Sequence, residues 1–292
     1  MLPSAAPGKW DHAFFNMSSE LIKEFNGRDF LVFITEVDVA GMDALRAQAR
    51  AEGKVSPTYY AFVIKAAAAA LREYPQLNVA IREIPFLRRA VRLPDITATI
   101  GVERDVDGSS LVFAPQLHDT DQMTAEEITL QLQRFAQDDI ATMRHFREAM
   151  AMVRICRWVP GLVGLIMRII RSSPRLWRKY RGGSYSVTSP GKYGGCDFLI
   201  PPWAWPVSFA FGTVKSRPTV VNGEVQARKI MRLTTAVDRR LTPGAPLARF
   251  TERIRQLLEN PRLLSGEKPF VATKTASVAA AKPQPVLEET PA

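Results

Sequence analysis

The sequence predicts an α+β domain, a mixed sheet flanked by helices. Three observations carry that expectation. Short β-rich runs and long amphipathic stretches follow one another without regular βα alternation and without an internal repeat. Two dipeptides, Asp107-Gly108 and Asn222-Gly223, join pairs of strand-like runs in the way tight hairpins require. The 292 residues are 46% hydrophobic and 23% charged, a globular composition with enough chain to bury a full core.

Phe30 to Val39 is rich in β-branched and aromatic residues and alternates toward its end, so it predicts a strand. Ala40 to Glu52 is helical in composition and stops near Gly53. Ser56-Pro57 is a helix entry, with Ser56 as N-cap and proline in the first turn. That helix runs through Phe62, Val63 and the alanine run Ala66 to Ala70, whose small side chains suit close packing on a sheet, and stops at Pro75. Asp95 to Val102 and Ser109 to Pro115 read as two strands across Asp107-Gly108. Thr124 to Glu127 is a capping box, opening a helix with Ile128, Leu132 and Phe135 on one face.

Ser184 to Ser189 and Val207 to Val214 read as strands, with a turn-rich stretch, Pro190 to Gly195, after the first. Pro218 to Val221 and Glu224 to Val237 flank Asn222-Gly223. After Gly244, the side chains of Leu247, Phe250, Ile254, Leu257 and Leu258 mark one face of a last helix that ends at Pro261. The folded unit is expected over residues 29–264, after an N-terminal segment, 1–28. The tail, 265–292, is rich in Ala, Pro, Lys and Glu and is expected to be disordered.

The net charge of +10 sits in one place. Between Ala149 and Cys196 there are nine basic residues and no acidic one: Arg154, Arg157, Arg168, Arg171, Arg175, Arg178, Lys179, Arg181 and Lys192. The longest uncharged run there, Trp158 to Met167, is too short to span a bilayer. Two readings of the basic amphipathic segment 149–183 stay open. It is a helix pair of the core whose arginines face water or a neighbouring subunit, or a surface that lies on a membrane or an acidic partner. Nucleic acid is not expected, because the segment carries no reading motif.

Two cysteines, Cys156 and Cys196, exclude a disulfide scaffold. With no apolar leader in Met1 to Asp11, a cytoplasmic setting is expected, peripheral to a membrane if the basic segment binds one. Phosphate loops, dinucleotide fingerprints, zinc spacings and the G-x-S-x-G elbow are all absent, so no metal is expected. Cys196 as a nucleophile has no histidine partner in view, and a buried inert thiol is its plainer reading. Trp203 and Trp205, within Pro201 to Pro206, are expected in the core, with a channel or subunit contact as the alternative. The three histidines are His12, His118 and His145, and none follows.

An ordered series of segments nevertheless resembles one family. These are Thr58 to Asn78, Ile100 to Asp121, Ser184 to Gly195 (SYSVTSPGKYGG), Phe211 to Gly223 (FGTVKSRPTVVNG) and Ala236 to Phe250 (AVDRRLTPGAPLARF). Together they resemble the catalytic domain of the dihydrolipoyl acyltransferases of 2-oxoacid dehydrogenases, which share their fold with chloramphenicol acetyltransferase. The resemblance implies acyl transfer between coenzyme A and a thiol, amine or hydroxyl acceptor, at a site between subunits of a homotrimer. It implies a general-base histidine in a D-H-R-x-x-D-G signature and a hydroxyl that holds the developing oxyanion on an F-T-I-S strand.

Asp238, Arg240 and Gly244 match the signature, but Arg239 stands at the histidine and Pro243 at the second aspartate. An arginine is no base at neutral pH, since its pKa lies above 12. Thr188 falls at the oxyanion hydroxyl, with Ser186 and Ser189 beside it. The expected site is therefore Thr188, Arg239 and Asp238 at the reacting centre, with Ser186, Ser189, Arg240 and Gly244 binding substrate. The expected ligand is coenzyme A or acyl-coenzyme A, without a lipoyl module. Three functions are expected: a pseudoenzyme that binds coenzyme A, an acyl group, a small acceptor or a partner as an oligomer; an enzyme of changed chemistry that uses Arg239 and Thr188 as electrostatic stabilisers; and a membrane-surface-associated protein through 149–183.

Overall fold

The computed structural model describes residues 30–84, 87–139, 142–191, 194–197, 199, 205–221 and 223–264, with Trp10, His12, Ala13, Asn16 and Met17. The expectations for Lys192, Trp203, Asn222, the tail and most of the N-terminal segment lie outside the described residues. The strands are β1 (Phe30–Asp38), β2 (Val79–Ile84), β3 (Leu87–Arg92), β4 (Ala98–Ile100), β5 (Val102–Val106), β6 (Ser109–Phe113), β7 (Gln116–Leu117), β8 (Tyr185–Thr188), β9 (Val207–Phe211), β10 (Lys215–Val221) and β11 (Glu224–Asp238). The helices are α1 (Ala40–Ala51), α2 (Tyr59–Glu73), α3 (Ala125–Gln137), α4 (Arg144–Trp158), α5 (Pro160–Ser172), α6 (Pro174–Tyr180) and α7 (Gly244–Glu259).

A mixed seven-stranded sheet runs in the order β1-β11-β9-β8-β4-β7, with β10 hydrogen-bonded to the outer half of the long β11. Only β8 is parallel to its neighbours, β4 and β9. The α+β expectation holds, and the reason is visible in burial. β8 and β9 are buried along nearly their whole length, with Ser186 and Ser208 among the buried residues, whereas β5 and β6 form a half-exposed hairpin that alternates. The hairpin turn needs positive φ at both central residues, which Asp107 (52°) and Gly108 (79°) supply.

α2 lies against the sheet. Ala66, Ala67, Ala68 and Ala70 are fully buried, and their lack of volume lets Tyr185 Oη on β8 reach the Ile64 carbonyl at 3.3 Å. On α7, Leu247, Phe250, Ile254, Leu257 and Leu258 all join the main core, where Phe250 meets Tyr74 edge-on at 5.4 Å between centroids. The capping box of α3 is complete, with Thr124 and Glu127 each satisfying the other's backbone. Thr124→Ala is expected to lower stability by about 1 kcal/mol, read as a shift of the denaturant midpoint at unchanged slope.

Two local expectations are corrected. The N-cap of α2 is Thr58, whose Oγ1 accepts from the Ala61 N–H at 3.1 Å. Ser56 instead donates its hydroxyl to the Arg46 carbonyl, because Thr58 N–H is itself held by Thr129 Oγ1 and fixes the entry two residues later. The run Asp95 to Val102 is not one strand. It breaks at Gly101, whose N–H donates to the Val187 carbonyl, so that β4 joins the main sheet while β5 turns away to pair with β6. The β2–β3 hairpin was not legible, since Arg82, Arg88, Arg89 and Arg92 obscure its alternation.

The basic segment folds into α4, α5 and α6, and the prolines that interrupt it, Pro160 and Pro174, occupy the first turns of α5 and α6, where no intrahelical donor is lost. No helix among the described residues is long and apolar enough to cross a membrane. Trp205 is buried, as expected. It donates Nε1–H to the Arg181 carbonyl, and the Arg181 guanidinium lies between the rings of Trp177 and Trp205 at 5.8 and 5.6 Å.

Candidate functional site

Thr188 is the last residue of β8, at the carboxyl end of the one parallel strand, and it is half-buried. Beyond it the chain leaves the sheet at Ser189 and Pro190, opening a cavity of about 740 Å³. Thr188, Ser189 and Gly191 line one side; Tyr59, Tyr60 and Phe211 line others. Gly101 belongs here too. A Cβ at that position would stand 3.2 Å from Thr188 Oγ1, so the glycine leaves the hydroxyl its space. Tyr60 Oη donates to the Val187 carbonyl at 2.5 Å, and burial pushes its phenol far above the ordinary range. Tyr60 therefore fixes the end of β8 as a neutral donor.

The serines beside Thr188 are already engaged. Ser186, buried, donates to Ser208 Oγ on β9 at 3.1 Å. Ser189 donates to the Phe211 carbonyl at 2.8 Å and accepts from the Gly191 N–H. Both hydroxyls hold the strand end in shape, and Thr188 lines the cavity beside them.

The loop that follows is pinned from outside. Asp197 takes ion pairs from Arg217, Lys215 and Arg232. Arg217 first and Lys215 second hold its carboxyl down at about 2. A carboxylate depressed in the folded state stabilises above its ordinary value of 3.8, and that contribution disappears as pH falls through about 2. Asp197→Asn is expected to flatten the acid-unfolding profile between those two values. Gly212 on the facing turn must stay a glycine, because a Cβ there would lie 2.0 Å from the Asp197 carbonyl oxygen. Cys196 is half-buried in this loop and lines none of the cavities of Thr188 and Arg239.

Asp238, Arg239 and Arg240 lie at the end of β11 and in the turn after it. The Asp238 carboxylate is fully buried and accepts three hydrogen bonds from Arg240: from its backbone N–H at 3.0 Å, Nε at 2.9 Å and Nη2 at 2.6 Å. That fork closes the turn onto itself and fixes where the next side chain emerges. Arg239 is exposed and has no ion-pair or hydrogen-bond partner among the described residues. It lines a second open cavity of about 510 Å³ with Leu31, Arg240, Thr242, Pro243 and Gly244.

The seven expected site residues therefore fall into two groups. Thr188 and Ser189 share one cavity, with Ser186 buried beneath; Arg239, Arg240 and Gly244 share the other, with Asp238 beneath. None of the residues of one group lines the cavity of the other. No histidine lines either cavity. Among the described residues no cluster of His, Cys, Asp or Glu could hold a metal. Tyr60, Gly101 and Glu103 also line the Thr188 cavity; they fall inside the segments Thr58 to Asn78 and Ile100 to Asp121 that carry the family resemblance but are not among the expected site residues.

The chain matches one family of known proteins over most of its length. The model of the 2-oxoacid dehydrogenases acyltransferase catalytic domain matches residues 18–148 and 175–265. The dihydrolipoyllysine-residue acetyltransferase component of the pyruvate dehydrogenase complex from Acholeplasma laidlawii is 26% identical over 241 residues, covering 80% of this chain and 37% of that protein. The dihydrolipoyllysine-residue succinyltransferase component of the 2-oxoglutarate dehydrogenase complex from Haemophilus influenzae is 23% identical, covering 85% and 52%. The chain thus spans between about a third and a half of the length of these two relatives.

Among solved structures, Azotobacter vinelandii dihydrolipoamide acetyltransferase has the same fold, with a TM-score of 0.60, 18% identity and coverage of 91% of this chain and 94% of that one. Its catalytic mechanism has been probed at a serine, a histidine and an asparagine. The cubic core of a pyruvate dehydrogenase multienzyme complex matches similarly, with a TM-score of 0.59, 19% identity and coverage of 91% and 94%.

Proposed function

Since this chain belongs to the family of 2-oxoacid dehydrogenase acyltransferases, matched over its catalytic domain, we propose that it keeps the acyl-binding scaffold but not histidine-dependent transfer. In this reading it is a cytoplasmic homotrimer that binds coenzyme A or its acyl thioesters.

Arg239 carries the proposal. Transfer to a thiol, amine or hydroxyl needs a group that accepts the acceptor's proton near neutral pH, and a guanidinium cannot. No histidine lines the cavity of Thr188 or that of Arg239. What remains suits binding. The Thr188 hydroxyl is placed to donate to a thioester carbonyl oxygen, and the apolar walls of Tyr59, Tyr60 and Phe211 suit a pantetheine arm. Arg239, charged and unengaged among the described residues, is placed to hold a carboxylate or phosphate. Within one chain the two groups line separate cavities, and in this reading one ligand meets both across a boundary between copies. That supports the trimer.

A second reading is favoured by the survival of Thr188 in its cavity. An acceptor of low pKa, or a substrate that brings its own base, needs only positioning and electrostatic stabilisation from Thr188 and Arg239. Calorimetry with coenzyme A and acetyl-coenzyme A separates the two, run beside a thiol-release assay with dihydrolipoamide and small amines. The binder reading expects saturable binding, weakened by Arg239→Ala, and no thiol release. Turnover by the unaltered protein would establish the second reading instead.

A further inference from the structure

The family match stops at residue 148 and resumes at 175, leaving out most of α4 and all of α5. This is also the stretch with no acidic residue from Ala149 to Cys196. α5 is apolar on two sides. Val163, Met167 and Ile170 are buried in a small cluster with Cys156 of α4. Leu162, Leu165 and Ile169 follow a second helical stripe, and that one is bare, at 40%, 51% and 50% exposure. Trp158 (80%) and Val159 (54%) extend it at the corner between α4 and α5.

Four arginines of the same helices are exposed: Arg154 and Arg157 on α4, Arg168 on α5 and Arg175 on α6. The Arg157 guanidinium lies 5.7 Å from the centroid of the Trp158 ring. The helix is held firmly from behind, since Arg82 of β2 donates Nε–H to the Ser172 carbonyl at 2.8 Å. A contiguous apolar face of this kind marks a contact surface.

We infer that α5 and the α4–α5 corner dock on an anionic lipid bilayer, with α5 lying in the headgroup plane. The charge decides the occupant. A two-fold contact between copies through this face would set arginine against arginine, whereas anionic headgroups meet the same arginines with attraction. The stripe is aliphatic with a tryptophan at its edge, the composition that buries shallowly at a membrane interface. At 13 residues α5 is too short to span.

The test is co-sedimentation of the full-length protein with vesicles of phosphatidylcholine alone or with phosphatidylglycerol, at low and high salt. Salt-sensitive binding to the phosphatidylglycerol vesicles is expected. Leu165→Ser/Ile169→Ser and Arg154→Gln/Arg168→Gln should each weaken it about tenfold or more. Trp158 fluorescence should shift to the blue on binding, a signal that Trp158→Phe removes. Melting temperatures of the variants, all at exposed positions, report that the fold is kept. Three results overturn the inference. One is no binding to phosphatidylglycerol vesicles; another is binding that both double variants leave unchanged. The third is sedimentation velocity showing that Leu165→Ser/Ile169→Ser alters oligomeric state while vesicle binding stays unchanged, which makes the stripe a subunit contact.

Discussion

Arg239→His is expected to raise thiol release from acetyl-coenzyme A, with dihydrolipoamide as acceptor, by about 10²-fold or more over the unaltered protein. The turn that presents residue 239 is already built. Asp238 is buried and closed onto Arg240 by three hydrogen bonds, none of which involves the residue between them. The substitution therefore exchanges an exposed cation for an imidazole without disturbing the turn. An imidazole titrates near pH 6.5, so the neutral base is present at pH 7 where a guanidinium never is.

The gain should have a signature. The rate of the variant should rise with pH through about 6.5, because the deprotonated ring is the active form. Adding Thr188→Ala to the histidine variant should remove about 10²-fold or more, since the oxyanion donor goes with the hydroxyl. Pro243, which stands where the family carries a second acidic residue, is expected to keep the recovered rate below that of a complete site. A histidine variant no faster than the unaltered protein, while still binding acetyl-coenzyme A, would show that the base is not what this site lacks.

The second large effect is on stability. Arg240→Met removes the partner of a carboxylate that is fully buried, leaving Asp238 with the residue 240 backbone N–H. Removing one half of a buried pair costs about 3–5 kcal/mol. The guanidinium is itself 39% exposed, so water can enter in its place, and the loss belongs near the lower end, about 3 kcal/mol. For a domain of this size that lowers the melting temperature by roughly 6–12 °C. Asp238→Asn/Arg240→Met should recover part of the loss, because no uncompensated charge is left. If the single variant melts within a degree or two of the unaltered protein, the pair does not hold this turn.

Much of the fold was legible because its signals are local. The capping box at Thr124, the positive-φ turn at Asp107-Gly108 and the apolar face of α7 need only neighbours in sequence, and each stands where the residues put it. The family resemblance, the absence of any histidine after His145 and the arginine at position 239 are likewise properties of the chain alone. They mark Thr188 and Arg239 as the residues on which the proposed function rests.

What the sequence left open depends on contacts between distant parts. Only the sheet shows that Gly101 separates two strands, since its N–H is claimed by Val187, far along the chain. Thr58 displaces Ser56 as a cap because Thr129, on another helix, holds it. Only the tertiary structure places Thr188 and Arg239 at separate cavities of one chain. The same holds for α5. A helix with apolar side chains on two faces carries no local instruction about which to bury. Packing against α4 and β2 covers Val163, Met167 and Ile170, and so leaves Leu162, Leu165 and Ile169 outside. Periodicity names the faces of a helix, but the core on one side of it decides which face meets the solvent.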